Sequence, residues 1–227
     1  MPTTIDTIQQ RIANYADENT TIASINTTDY ADRLVYLNEA MQEWQEATDW
    51  RVLYREFNVN VSTATGNATI VLPSNFRKLA SFPKISYTAS STAFFPETSP
   101  LSAGQYGDTD KRTEILGNNT EGFFLRIYGV TLSSGASVKV PYYSTVSSLA
   151  SPANIPEIPN PEFLVKRTLA YVLEAREDSR FVEMKAEADR ILANMIDREN
   201  TFSVASDESS VKTVEQTKFG GFRTGGW

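Results

Sequence analysis

Six acidic residues stand close together late in the chain: Glu174, Glu177, Asp178, Glu183, Glu187 and Asp189. They are the strongest candidates for chemistry in this sequence. Two carboxylates can run a hydrolysis when one is protonated and the other ionised. Other nucleophile systems are closed off, because the chain has no histidine and no cysteine. That removes Ser-His and Cys-His nucleophile arrangements, disulfides, and the usual zinc, haem and iron–sulfur ligand sets. An enzyme would have only carboxylate, Lys or Tyr chemistry left. No GxGxxG, GxxxxGK[ST] or EF-hand pattern occurs. No cofactor and no metal is therefore expected. The spacing of the acids also has a plainer use. Glu183 and Glu187 flank Lys185 and precede Arg190, and helical acids at such spacings usually pair with bases. The sequence reads as a non-enzyme.

The elements that carry those acids are helical. In "PEFLVKRTLAYVLEARE", Leu164, Thr168, Tyr171 and Ala175 form one stripe, widened by Phe163, Leu169, Val172 and Leu173. Such a helix is buried on most sides. After a turn near Asp178-Ser179, Phe181, Met184, Ala188, Ile191 and Met195 give spacings of 3, 4, 3 and 4, a second helix to about Arg198. Two more helices lie at the start. Ile5, Ile8, Ile12 and Tyr15 make one stripe, capped by Thr3 or Thr4. Tyr30, Leu34, Leu37, Met41, Trp44 and Thr48 make another, over 28–48, with Asp32, Glu39, Glu43 and Glu46 opposite.

Between the two helical pairs the period falls to two. Phe57, Val59 and Val61 alternate with polar residues, and so do Ala68, Ile70 and Leu72. The "TGN" between them predicts a β-hairpin. Further strands are expected near Lys84–Thr88 and in "RTEILG", "EGFFLRIYG" and "GASVKVPYYS", with 89–110 as a long loop. Pro152, Pro156, Pro159 and Pro161 then stiffen a return segment. The expected fold is α+β: a four-helix bundle with an inserted small antiparallel β-sandwich or open barrel and an extended C-terminal arm. The expected boundaries are 1–51 for the first helices, 52–150 for the β-domain and 151–161 for the Pro-rich linker. The last helices take 162–199, and the arm takes 200–227.

Charge and the arm point to partners. Residues 1–50 hold nine acids and two bases, which accounts for the whole net charge of −7. Nothing resembles a basic surface that grips nucleic acid. No apolar run reaches the roughly 20 residues of a membrane span, and "MPTTIDTIQQR" has no signal-peptide core. The arm ends in "TKFGGFRTGGW". Its glycine pairs oppose helix and strand, yet it carries large apolar rings. Phe219, Phe222 and Trp227 read as anchors for a partner's pockets, with Arg223 as a carboxylate partner. A short arm binds weakly alone and strongly when many copies engage together. A different class of reading makes the β-domain a carbohydrate- or receptor-binding module, as on a tail or fibre. Tyr87, Phe94, Phe95, Tyr106, Tyr142 and Tyr143 would be its stacking surface.

The layout resembles the head–tail adaptor (connector, or head-completion) proteins of tailed bacteriophages. The resemblance is carried by "YADRLVYLNEAMQEWQEATDWRVLYREF", by the hairpin leading into "VLPSNFRKLASF", by the return to two helices, and by the arm. It spans nearly the whole chain. It implies a structural virion protein at the neck, made in the host cytoplasm and placed under the portal as a homo-oligomeric, dodecameric ring. Its partners would be the portal protein and other neck or tail proteins. Packaged DNA would pass through without sequence-specific binding, and no membrane is involved. By the same resemblance Lys218, Phe219, Phe222, Arg223 and Trp227 match the portal-docking arm.

Overall fold

A computed structural model describes residues 3–16, 21, 25, 27–61, 64–80, 85–88, 92–94, 112–118, 120–132 and 135–218. The fold is α+β. It divides into a helical unit, made of the chain up to Thr48 and from Ser147 onward, and a β unit, Asp49–Val146.

Four helices build the helical unit: α1 (Ile5–Tyr15), α2 (Thr27–Ala47), α3 (Glu162–Ala175) and α4 (Phe181–Lys218). Thr4 caps α1, accepting from the Thr7 N–H. The next free donors at that helix end are met by the proline-rich return segment. The Ile5 and Asp6 N–H groups donate to the carbonyls of Asn154 and Pro152 at 3.1 and 3.3 Å. This segment is thus part of the helical packing as well as a connection, with Ile158 buried in it. The stripe on α1 is real at Ile5, Ile8 and Ile12, while Tyr15 is exposed.

The helices gather on α3, which packs against α1, α2 and α4. Its apolar residues explain that position. Phe163, Leu164, Val165, Leu169, Ala170, Val172 and Leu173 are all buried, so only a helix with neighbours on several sides can carry them. On α2 the buried line is Arg33, Leu37, Ala40, Met41, Trp44 and Gln45. It is rotated slightly from the expected stripe, and a guanidinium occupies its first place.

Eight strands are described in the β unit: β1 (Tyr54–Val61), β2 (Ala64–Val71), β3 (Phe76–Leu79), β4 (Ser86–Thr88), β5 (Thr92–Phe94), β6 (Arg112–Asn118), β7 (Gly122–Leu132) and β8 (Ala136–Ser144). They form two antiparallel sheets. In the larger sheet β8 is central, with β1 on one side and β3 and β4 end to end on the other, and β5 beyond β4. The smaller sheet runs β2-β7-β6. Ala68, Ile70, Leu125 and Ile127 from one sheet share a core with Val138, Val140, Tyr142 and Phe76 from the other, so the unit is a sandwich.

Three expectations change here. The predicted hairpin of β1 and β2 does not exist: β1 pairs β8 and β2 pairs β7. Both strands alternate correctly, but the chain crosses from one sheet to the other between them. "TGN" lies inside β2, where the register shifts between Gly66 and Asn67. A glycine in a strand marks a bulge as readily as a turn. Next, β5 falls within the stretch expected to be loop, and β3 was not foreseen. These strands are three and four residues long, too short for alternation to show. Finally, the arm expected to be extended from residue 200 is helical to Lys218. No glycine or proline occurs between Pro161 and Gly220, so nothing in the backbone chemistry stops α4 earlier.

Candidate docking surface

The α3–α4 hairpin positions the end of the described chain. Its turn is a Schellman motif. The Asp178 N–H donates to the Leu173 carbonyl at 2.9 Å, and the Glu177 N–H to the Glu174 carbonyl at 3.0 Å. Glu177 takes the left-handed position at φ 57°, which glycine usually fills. The Asp178 carboxylate then receives its neighbour Arg180, and that hydrogen bond holds its pKa below the usual range.

Charged groups on α3 lock the hairpin to the other helices. Arg167 is buried, and its guanidinium donates to Glu43 of α2 and to Asp189 of α4, the latter at 2.7 Å. Tyr171 donates to the same Glu43 at 3.3 Å. Burial, with Glu43 next in order, raises the Tyr171 pKa. The residue preceding Arg167, Lys166, bonds Glu187 at 2.7 Å and lies 4.7 Å from the Tyr15 ring of α1. Arg11 reaches Glu162. Three consecutive turns of α3 therefore tie down all three neighbours. Glu43 and Asp189 still reach water, so the network fixes geometry more than it adds stability.

The contacts above account for three of the six candidate carboxylates. Asp189 and Glu187 serve as bridges between helices, and Asp178 serves the turn. Glu174, Glu177 and Glu183 are exposed. The expectation of ion pairing holds, but the main partners sit on α3, not one turn along the same helix. Among the described residues no group of three or more acidic side chains could hold a metal ion. Nor is any described helix long and apolar enough to cross a membrane.

The ion pairs also fix the helix register. Arg167 stands opposite Asp189, so Glu162 at the start of α3 stands opposite about residue 194 of its antiparallel partner. α4 runs on for roughly 24 more residues, about 36 Å at the helical rise. Among the described residues α4 packs to any extent on α3 alone. Lys218 is its last residue, and of the arm positions only Lys218 is described. Phe219, Phe222, Arg223 and Trp227 lie outside the described residues.

The aromatic platform expected of the β-domain fares differently. Tyr142 is buried in the sandwich core, stacked at 5.8 Å on Phe76, and donates to Asn75. Its neighbour Tyr143 points to the opposite face, as adjacent strand residues must, and meets Tyr54 edge-on at 6.1 Å. The two cannot share a stacking surface. Phe95 and Tyr106 lie outside the described residues, as do the side chains of Tyr87 and Phe94.

Interhelical ion pairs lock the helical unit, and α4 continues to Lys218, beyond the pairs that hold it to α3. The chain matches the family model of the SU10 adaptor proteins over residues 3–211 and belongs to that family of phage head–tail adaptors. No curated protein matches the chain. The family is a structural one, and the chain is a phage structural adaptor.

Proposed function

We propose that this adaptor docks on the portal of a packaged head through the residues carried by the end of α4. Lys218 would begin the contact. Phe219, Phe222 and Trp227 would fill apolar pockets, and Arg223 would meet a carboxylate. The protein would act as a homo-oligomeric ring, a dodecamer matching the portal, in the neck of the virion. Other neck or tail proteins would bind the opposite side. The observation that carries this reading is the length of α4, which runs to Lys218, about 24 residues beyond the point opposite the start of α3. Family membership supports the partner class. The ring would let DNA through without gripping it, since residues 1–50 hold nine acids and two bases and such a surface repels phosphate. No reaction is assigned to it.

Deleting Thr217–Trp227 tests this. The shortened protein should fold and melt like the full chain, because α3 packs on the part of α4 before those residues. It should no longer co-purify with assembled portal. Retained portal binding would refute the docking role.

A further inference from the structure

Where α2 begins and α3 ends, the helical unit leaves an open pocket of about 360 Å³. α2 supplies Asp29, Asp32 and Tyr36, which share one side of that helix at spacings of three and four. α3 supplies Val172, Ala175 and Arg176 from its last turn and cap. The Tyr36 ring is braced by the Tyr171 ring at 5.7 Å. Asp29 and Asp32 are exposed, and neither makes a hydrogen bond or an ion pair among the described residues. Two guanidiniums also line the pocket, and both already have partners. Arg33 is 1% exposed and engaged within the fold. Arg176 acts on Asp178 and helps to hold its pKa down. The helix ends cancel: the positive start of α2 and the negative end of α3, about half a charge each, meet at the same place. No basic residue sits in the last turn of α3 to shift that balance. What remains uncompensated is the pair of carboxylates.

We propose that this pocket receives the guanidinium of an arginine side chain from another polypeptide. The free carboxylates call for a cation and turn an anion away. Two of them one turn apart match the forked donors of a guanidinium, and an ammonium has no such fork. The Tyr36 ring lines the same pocket, and a flat cation gains further from an aromatic ring. Val172 and Ala175 give the methylene stem of the incoming side chain an apolar wall. A metal ion would need more ligands than two carboxylates and a phenol. The site is separate from the arm, so it can fail its test while portal docking stands.

The full chain is titrated with Nα-acetyl-arginine methylamide, an arginine side chain without charged ends, while amide NMR shifts are followed. The shifts should centre on residues 29–36 and 172–176 and saturate with a Kd on the order of millimolar. The matching lysine compound should bind several-fold more weakly. Asp29→Asn/Asp32→Asn should lose binding about tenfold or more. Ala175→Trp should do the same by filling the pocket, with both carboxylates in place. Asp29, Asp32 and Ala175 are all exposed, so these variants keep the fold. Sedimentation of the chain alone then names the owner of the arginine. Self-association that the arginine compound reverses assigns it to a second copy, and a monomer that binds the compound assigns it to a different protein. No saturable shift, shifts centred elsewhere, or unchanged binding by either variant overturns the site.

Discussion

Replacing Glu177 by glycine should make the protein more stable, although it removes a side chain. Glu177 closes α3 at φ 57°, in the left-handed region that costs a non-glycine residue roughly 1–2 kcal/mol. Glycine removes that cost but adds freedom to the unfolded chain, worth about 0.4–1 kcal/mol against folding. The carboxylate itself contributes little, since the residue is exposed. The net expectation for Glu177→Gly is a gain of about 1 kcal/mol, or about 2–4 °C in Tm for a chain of this size. Glu177→Ala is the control, because it deletes the carboxylate and keeps the strained backbone. Thermal unfolding followed by helical circular dichroism would compare the three proteins. If Glu177→Gly is no more stable than Glu177→Ala, the turn does not store the strain assigned to it, and the placement of α4 needs another explanation.

Three further outcomes follow from named contacts. The Asn38 side chain pairs with the Leu149 backbone on both sides, accepting from its N–H at 2.8 Å and donating to its carbonyl at 3.0 Å. Asn38→Ala leaves those groups unpaired in a buried place and should cost about 1–3 kcal/mol in urea unfolding. Gly117 sits at φ 103°, and a Cβ there would lie 2.1 Å from the Gly122 carbonyl oxygen. Gly117→Ala should destabilise the β unit by about 2–4 kcal/mol, read as a lower midpoint for loss of the sheet signal. Tyr30 is pushed up to about 12, first by burial and then by its bond to Asp6. A raised phenol favours the folded state below pH 10, and that contribution is lost as pH rises towards 12. Stability should therefore fall over that interval, and Tyr30→Phe should flatten the fall.

The helices were legible in the sequence because each has a wide apolar stripe of the right period. Ile5, Ile8 and Ile12 on α1, and Leu37, Met41 and Trp44 on α2, are buried as their spacing requires. The burial of Arg33 was not legible, because pattern reading treats every charge as solvent-facing. Its position at spacings of 4, 3 and 4 with Leu37, Ala40 and Trp44 was the available signal. In the β unit the alternation located β1 and β2 and gave their inward faces. It could not give partners, since strands that cross between sheets alternate just as hairpin strands do. The length of α4 was missed for a related reason. After Arg198 the apolar stripe fades, and loss of a stripe signals loss of packing, not loss of helix. The interhelical use of Asp189 and Glu187 depends on α3 lying alongside, which no local spacing encodes.

A reconstruction of the neck of the assembled particle tests the central claim most directly. It should show this chain as a ring below the portal, with α4 running to Lys218 and the following residues, Phe219 to Trp227, seated on the portal surface. Those same rings folded back into the chain's own helical or β unit, or a neck without this chain, would contradict the account.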